Sequence, residues 1–283
     1  MAKQISVVIP TFDRKRLTDQ AVDSVVATEP DSFEIVVVDD AGTLPYMYEA
    51  SRNPAGIEVA ILRSITNRGP GFARKLGVAA ARGRLICFLD SDDVFKPGWP
   101  DAVLEELLKS EAGPTARLFI AGQTEQASIV QSLCVKWLAS LRPRLQSTAV
   151  RLVTIAFNPF YTPATAMSKS LCQFWDESRF CEDYFTNAMA IFASDTIHIL
   201  PVTACKISRS PGSAGGISQS TRDMLNGEHR VRVRLLHCST VPVPYRLLVP
   251  LGMLYSRVRG EVKSVAEKVR GRYSRANSAS GAQ

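Results

Sequence analysis

A set of short apolar runs that end on acids most narrows what this chain can fold into. ISVVIP (5–10), FEIVVV (33–38) and RLICFL (84–89) are continuous, rich in β-branched residues and too short for helices. That is the pattern of strands buried on both faces, and a further run from Ile57 to Leu62 adds one more. Between them, Leu17, Ala21, Val22, Val25 and Val26 recur at helical spacing with Thr18, Asp19, Gln20 and Asp23 on the other side, which predicts an amphipathic helix. Asn67-Arg68-Gly69-Pro70-Gly71 turns the chain into a second helix from about Phe72 to Ala81, with Gly83 as its stop. A third is expected from Pro97 to Leu108. Strand, helix, strand, strand, helix, strand predicts an α/β fold: a Rossmann-like, mostly parallel central sheet with helices on both faces.

In such sheets ligands bind beyond the carboxyl ends of the strands. Here those ends carry Thr11-Phe12-Asp13-Arg14, Asp39-Asp40 and Asp90-Ser91-Asp92-Asp93. Crowded carboxylates repel one another, and the arrangement makes most sense with a cation among them. Oxygen-only ligands select a hard ion, Mg²⁺ or Mn²⁺, with Asp90, Asp92 and Asp93 as candidate ligands. Arg14 and Arg74 beside these acids suit a metal-bound diphosphate.

Composition removes other classes. Of 283 residues 46% are hydrophobic, ample for a core. Six cysteines form no Cys-x-x-Cys pair and have no His at zinc spacing, which predicts reduced thiols in a cytoplasmic protein. The apolar run at the N-terminus is too short for a signal peptide, and 241–255 is broken by Pro242, Pro244, Arg246 and Pro250, so neither a leader nor a membrane span is expected. The net charge of +7 is concentrated at one end: residues 241–283 hold eight Lys/Arg against two Glu. The tail lacks interleaved aromatics, which argues against nucleic acid. A dinucleotide-dependent oxidoreductase is disfavoured because Arg74 stands at the sixth position of the Gly69-x-Gly71 pattern.

VVIPTFDR, then EIVVVDD, then NRGPGFARKLGVAAARGRLICFLDSDD resembles the nucleotide-binding half of family 2 glycosyltransferases of the GT-A fold, over residues 1 to about 110. The resemblance implies that Pro10, Thr11, Phe12, Arg14, Asp39, Asp40, Asn67 and Gly69 line the nucleotide-sugar site. It implies that Arg74 meets the diphosphate region and that Asp90-Ser91-Asp92 is the DxD motif holding ribose and divalent metal. Lys75 stands where the family usually has Asn, and Ala41-Gly42-Thr43 where Gly-Ser-x-Asp is usual. A looser likeness to the acceptor half follows: Asn158 to Met167, then Phe174-Trp175-Asp176-Glu177, then Glu182-Asp183 opening a helix, Tyr184 to Phe192. It implies Asp183 as the base toward an acceptor hydroxyl, oriented by Glu182 or by its helix N-terminus, and inversion at the sugar. The expected partners are a nucleotide-diphosphate sugar and a glycan or lipid-linked acceptor in cell-surface polysaccharide, lipopolysaccharide or glycolipid synthesis. The runner-up is a relative that binds nucleotide-sugars without turnover.

The expected organisation is a catalytic domain over 1–215, with a donor half 1–112 and an acceptor half 113–215, and a helical basic extension over 216–283. Leu118 to Ala121 reads as a fifth strand, Ser128 to Leu141 as an amphipathic helix, Arg142 to Leu152 as a basic mobile stretch, and Lys206 to Ser213 as either a lid over the diphosphate or a flexible loop into the tail. In the tail, Leu251, Leu254, Val258, Val262, Val265 and Val269 share one helical face flanked by basic residues. Two occupants fit that face: an anionic membrane surface over 241–272, which would make the protein peripheral on the cytosolic face, or a protein surface.

Overall fold

The computed structural model describes residues 4–28, 32–109, 115–175, 180–208 and 220–261. The strands are β1 (Ile5–Thr11), β2 (Phe33–Asp39), β3 (Glu58–Arg63), β4 (Leu85–Phe88), β5 (Val94–Phe95), β6 (Leu118–Glu125), β7 (Thr165–Ser168) and β8 (Thr196–Lys206). They form one sheet in the order β3-β2-β1-β4-β7-β6-β8-β5. β1 to β4 pair in parallel, as do β6 and β8, while β7 runs antiparallel between β4 and β6 and β5 lies antiparallel on β8.

The two-sided burial expected of the apolar runs is met in β1, β2 and β4, while the edge strand β3 stays partly exposed, with Ile61 facing out. Ile5, Val7, Ile9, Ile35, Val37, Leu85 and Cys87 point into one core, under helices α1 (Lys15–Val26) and α3 (Trp99–Lys109). Val8, Val36, Val38, Ile86 and Phe88 point into the other, under α2 (Pro70–Ala80), α4 (Ile129–Ala139) and α5 (Pro143–Ala156).

Gly83 does not cap α2 in a left-handed conformation. The helix ends at Ala81, and Gly83 lies against β1, where an added Cβ would sit 2.5 Å from the Ser6 amide nitrogen. Its N–H donates to Ser6 Oγ at 2.8 Å, beside the buried carboxylate of Glu34. Burial works against that carboxylate, yet bonds from Ser6 and Arg82 hold its pKa below the ordinary value. Gly83→Ala is expected to lose about 1–3 kcal/mol of stability through overpacking against backbone, read from the denaturant midpoint.

The stretch 142–152, expected to be mobile, is most of α5. Pro143 occupies its first turn, and Gln146, Val150 and Thr154 repeat at four-residue steps on the buried side, so arginines on the outer face do not prevent the helix from docking. A third core joins α5 and α6 (Glu182–Ala193) to α7 (Thr221–His237): Ile155, Tyr184, Phe185, Met189, Val231, Leu235, Val241 and Val249 meet there. After the short α8 (Val243–Arg246), a helix covers 249–261. Val249, Gly252, Ser256 and Gly260 face inward along it, while Leu251, Leu254 and Val258 face out. The packing alternative for the tail is therefore realised on the opposite side from the predicted apolar stripe. Val262, Val265 and Val269 lie outside the described residues, as do 209–213 of the expected lid.

Candidate active site

The parallel pairing of β1, β2 and β4 brings their carboxyl ends onto one rim. At the tip of β1, Pro10 and Thr11 are buried, and Thr11 Oγ1 lies 2.6 Å from Thr18 Oγ1. Phe12 is exposed, and Asp13 accepts from the Thr43 amide and hydroxyl at 2.6 and 2.9 Å. At the tip of β2, Asp39 accepts from the Gly42 and Tyr46 amides at 2.8 and 3.0 Å and pairs with Arg63 at 2.7 Å. Asp40 accepts from the Arg68 and Gly69 amides at 3.1 and 2.6 Å. Both carboxylates thus shape the loops around the pocket. Gly69, at φ +90°, is the N-cap of α2, and Asn67 is exposed on the same loop.

Past β4 the chain turns sharply, with the Asp93 amide bonded to the Asp90 carbonyl at 2.9 Å. Asp90 pairs with Arg74, Asp92 with Arg14 at 3.0 Å, and Asp93 accepts from the Ser208 amide at 2.9 Å. Ser208 Oγ also donates to the Asp92 carbonyl, and Ser91 is buried beneath the turn. Burial, then the charges of Asp90 and Asp92, push the Asp93 carboxyl up to about 8. The sequence reading of crowded acids is met, with two arginines offsetting the outer pair.

These residues fit a hard divalent ion of a particular kind. No group of three or more His, Cys, Asp or Glu among the described residues forms a cage. A cation bound through one or two carboxylates plus donor phosphates, the usual habit of Mg²⁺, suits Asp90 and Asp92, whose side chains keep 34% and 18% exposure.

Arg74 ties the two halves of the site together. Its side chain is 5% exposed, and its guanidinium reaches Asp90 on one side and Glu182 at 3.3 Å on the other, 5.0 Å over the Trp175 ring. Its Nε has no hydrogen-bond partner among the described residues. Glu182 and Asp183 open α6 as expected, after Cys181 in a left-handed conformation at φ 61°. Asp183 accepts from Asn158 Nδ2 at 3.2 Å. The Asn158 carbonyl accepts from Gln131 of α4, whose Oε1 takes the Tyr161 hydroxyl at 2.8 Å. Burial raises the pKa of both carboxyls: for Glu182 the neighbouring charge of Asp183 adds to it and Arg74 opposes it, while for Asp183 the Tyr184 amide and Arg74 oppose it. Asn158 and Tyr161 fall in the Asn158–Met167 stretch of the acceptor-half resemblance, while Gln131 lies in no motif. Asp176 and Glu177 lie outside the described residues.

An eight-stranded sheet with β7 reversed, a DxD turn beyond β4 and an acid pair at a helix start across from it define a GT-A architecture. The same fold is found in Staphylococcus aureus TarS, at a TM-score of 0.63 and 18% identity over 89% of this chain and 43% of that one. It is found as well in the mannosyltransferase PcManGT from Pyrobaculum calidifontis in complex with GDP-Man and Mn²⁺, at a TM-score of 0.58 and 16% identity over 94% of this chain and 76% of that one. The model of Glycosyl transferase family 2 matches residues 6–157, and the chain belongs to that family. Among named relatives, the succinoglycan biosynthesis protein ExoO of Rhizobium meliloti (strain 1021) is 39% identical over 95 residues, 33% of this chain. The match spans only 26% of ExoO.

Proposed function

We propose that the protein transfers a sugar from a nucleotide-diphosphate donor to an acceptor hydroxyl, with inversion, in the synthesis of a cell-surface polysaccharide or glycolipid. The observation that carries this reading is Arg74, which holds the DxD carboxylate Asp90 and the acceptor-side Glu182 on one guanidinium. Donor and acceptor chemistry are thereby brought to opposite sides of one group. Asp183 is the base: the acceptor oxygen forms the new bond to the anomeric carbon, its proton passes to the Asp183 carboxylate, and the bond to the diphosphate oxygen breaks. Burial of Asp183 raises its basicity, and Asn158 bonds its carboxylate. Arg74 and Arg14 place positive charge where the diphosphate leaves. A Mg²⁺ or Mn²⁺ held by Asp90 and Asp92, with Asp93 behind them, would neutralise charge on that leaving group. Thr11, Phe12, Asp13 and the loops braced by Asp39 and Asp40 form the wall for base and ribose.

The name of ExoO supports a polysaccharide product, and complexes of TarS with UDP and with UDP-GlcNAc support a nucleotide-sugar donor. No helix among the described residues is long and apolar enough to cross a membrane. The outward Leu251, Leu254 and Val258 with exposed Arg257 support a peripheral location on the cytosolic face, where a soluble donor meets a membrane-held acceptor.

Purified protein incubated with a panel of nucleotide-sugars and Mn²⁺ should release nucleotide from one of them, faster with the right acceptor. Donor binding without release on any acceptor would favour a non-catalytic nucleotide-sugar binder. Asp92→Ala is expected to abolish the metal-dependent part of donor binding with the melting curve unchanged, since Asp92 is partly exposed and its partner Arg14 can turn to water. Calorimetry with and without Mn²⁺ reads this directly, and an unchanged metal effect would remove Asp92 from the ligand set.

A further inference from the structure

α4 is unusual for a surface helix. Its sequence, IVQSLCVKWLA, carries one charge, and it is apolar nearly all round, which is the composition of a helix covered on every side. Val135 and Leu138 face the core, yet on the opposite side Ile129 is 78%, Leu133 62% and Trp137 52% exposed, with Val130 beside them. The same face continues onto α5. Gln146 Nε2 of α5 bonds the Leu138 carbonyl at 3.0 Å, and Leu145 and Leu152, two turns apart, are also exposed. α5 in turn packs on the helix over 249–261, where a Cβ at Gly252 would meet the Ile155 carbonyl at 2.4 Å. The rings of Phe157 and Tyr255 are 6.5 Å apart. Beyond them Leu251, Leu254 and Val258 point outward.

Charge selects the occupant. No Asp or Glu occurs between Glu125 and Asp176, while Lys136, Arg142 and Arg144 are exposed around the α4–α5 patch. A two-fold interface built on α4 and α5 would set those cations against their own symmetry mates with no acid of either helix to pair with. A bilayer with anionic headgroups answers both features. Its interface accepts Trp, Leu and Ile to a shallow depth and draws in the lysine and arginines around them. We propose that the outer faces of α4, α5 and the 249–261 helix form one docking surface for an anionic lipid bilayer, with the acceptor side of the site at its edge. Gln131, on the Val135 side of α4, bonds the Asn158 carbonyl, and Asn158 bonds Asp183, so the Asp183 site lies on the inner side of the docked helix. A hydroxyl carried on a lipid would reach Asp183 past the edge of α4. That last consequence rests on the glycosyl-transfer reading; the docking itself does not.

The test is vesicle flotation of the full chain without donor or metal, on phosphatidylcholine vesicles with and without phosphatidylglycerol. The wild type is expected to float with the anionic vesicles. Leu133→Ser with Trp137→Ser should lose at least about tenfold in partitioning on both vesicle types, as expected for two interfacial apolar side chains. The triple change Lys136→Ser, Arg142→Ser and Arg144→Ser should weaken the preference for phosphatidylglycerol by roughly fivefold per cation near the surface. All of these side chains are exposed, so circular dichroism melts should match wild type. Flotation unaffected by either set overturns the proposal. So does a wild type that ignores vesicles but self-associates with concentration, or is held by an acidic protein, and loses that contact on Trp137→Ser. Lost flotation with a working transferase, or the reverse, separates this proposal from the functional one.

Discussion

Asp183→Asn should lower kcat by about 10²–10⁴-fold, the usual contribution of a positioned base, while the donor dissociation constant stays where it was. The amide keeps an acceptor for Asn158 Nδ2, now at 3.2 Å, so the pocket keeps its shape and only the proton acceptor is lost. Stopped assays at saturating donor, beside calorimetry of donor binding, separate the two. Donor affinity falling in step with rate would make Asp183 a substrate ligand. The pH profile carries the same claim. Burial raises the Asp183 carboxyl above its ordinary value, and the base acts only when ionised, so the acid limb of kcat/KM should lie above the ordinary carboxylate range of about 4. Stability responds in the opposite sense. A carboxyl whose folded pKa is raised binds its proton more tightly in the folded state, so that contribution is fully present below the unfolded pKa. It is lost as pH rises through the folded value. The site should therefore give up stability over the same pH range in which it gains activity.

Arg74→Ala should destabilise the protein by about 3–5 kcal/mol, the range for removing one partner of a buried ion pair. The guanidinium is the cation that faces both Asp90 and Glu182, and burial already disfavours the charge on Glu182. Adding Glu182→Gln to Arg74→Ala should return part of the loss, because the stranded acid is then neutral. Denaturant unfolding of the two single variants and the double variant gives the coupling. Additive losses would show that Arg74 acts through its packing on Trp175 rather than as a bridge.

Much of the donor half was readable along the chain, for a physical reason. A strand covered on both faces must be apolar at every position, so 5–10, 33–38 and 84–89 announce themselves without knowledge of their neighbours. Parallel strands in turn put their terminal acids on one rim. The resemblance to family 2 glycosyltransferases rests on these same stretches, and the family match covers 6–157. Local chemistry also placed Glu182 and Asp183 at a helix start, since acids favour the positive end of a helix dipole.

Other features depended on contacts between residues far apart in the chain. Nothing near Arg74 indicates that it bridges Asp90 and Glu182, 16 and 108 positions away. Gly83 reads as a helix stop because glycine often is one, and only the approach of β1 shows that it is there to make room. α5 reads as mobile from its own arginines because the residues that pack on it lie far along the chain. Periodicity shows that a helix has an apolar side but cannot say what covers it. On the 249–261 helix the core took Val249, Gly252, Ser256 and Gly260 and left the more hydrophobic stripe facing out. Close approach to the α5 backbone needs a small residue at Gly252, and Gly260 leaves room for Leu225 of α7, so steric fit, rather than hydrophobicity, chose the buried side.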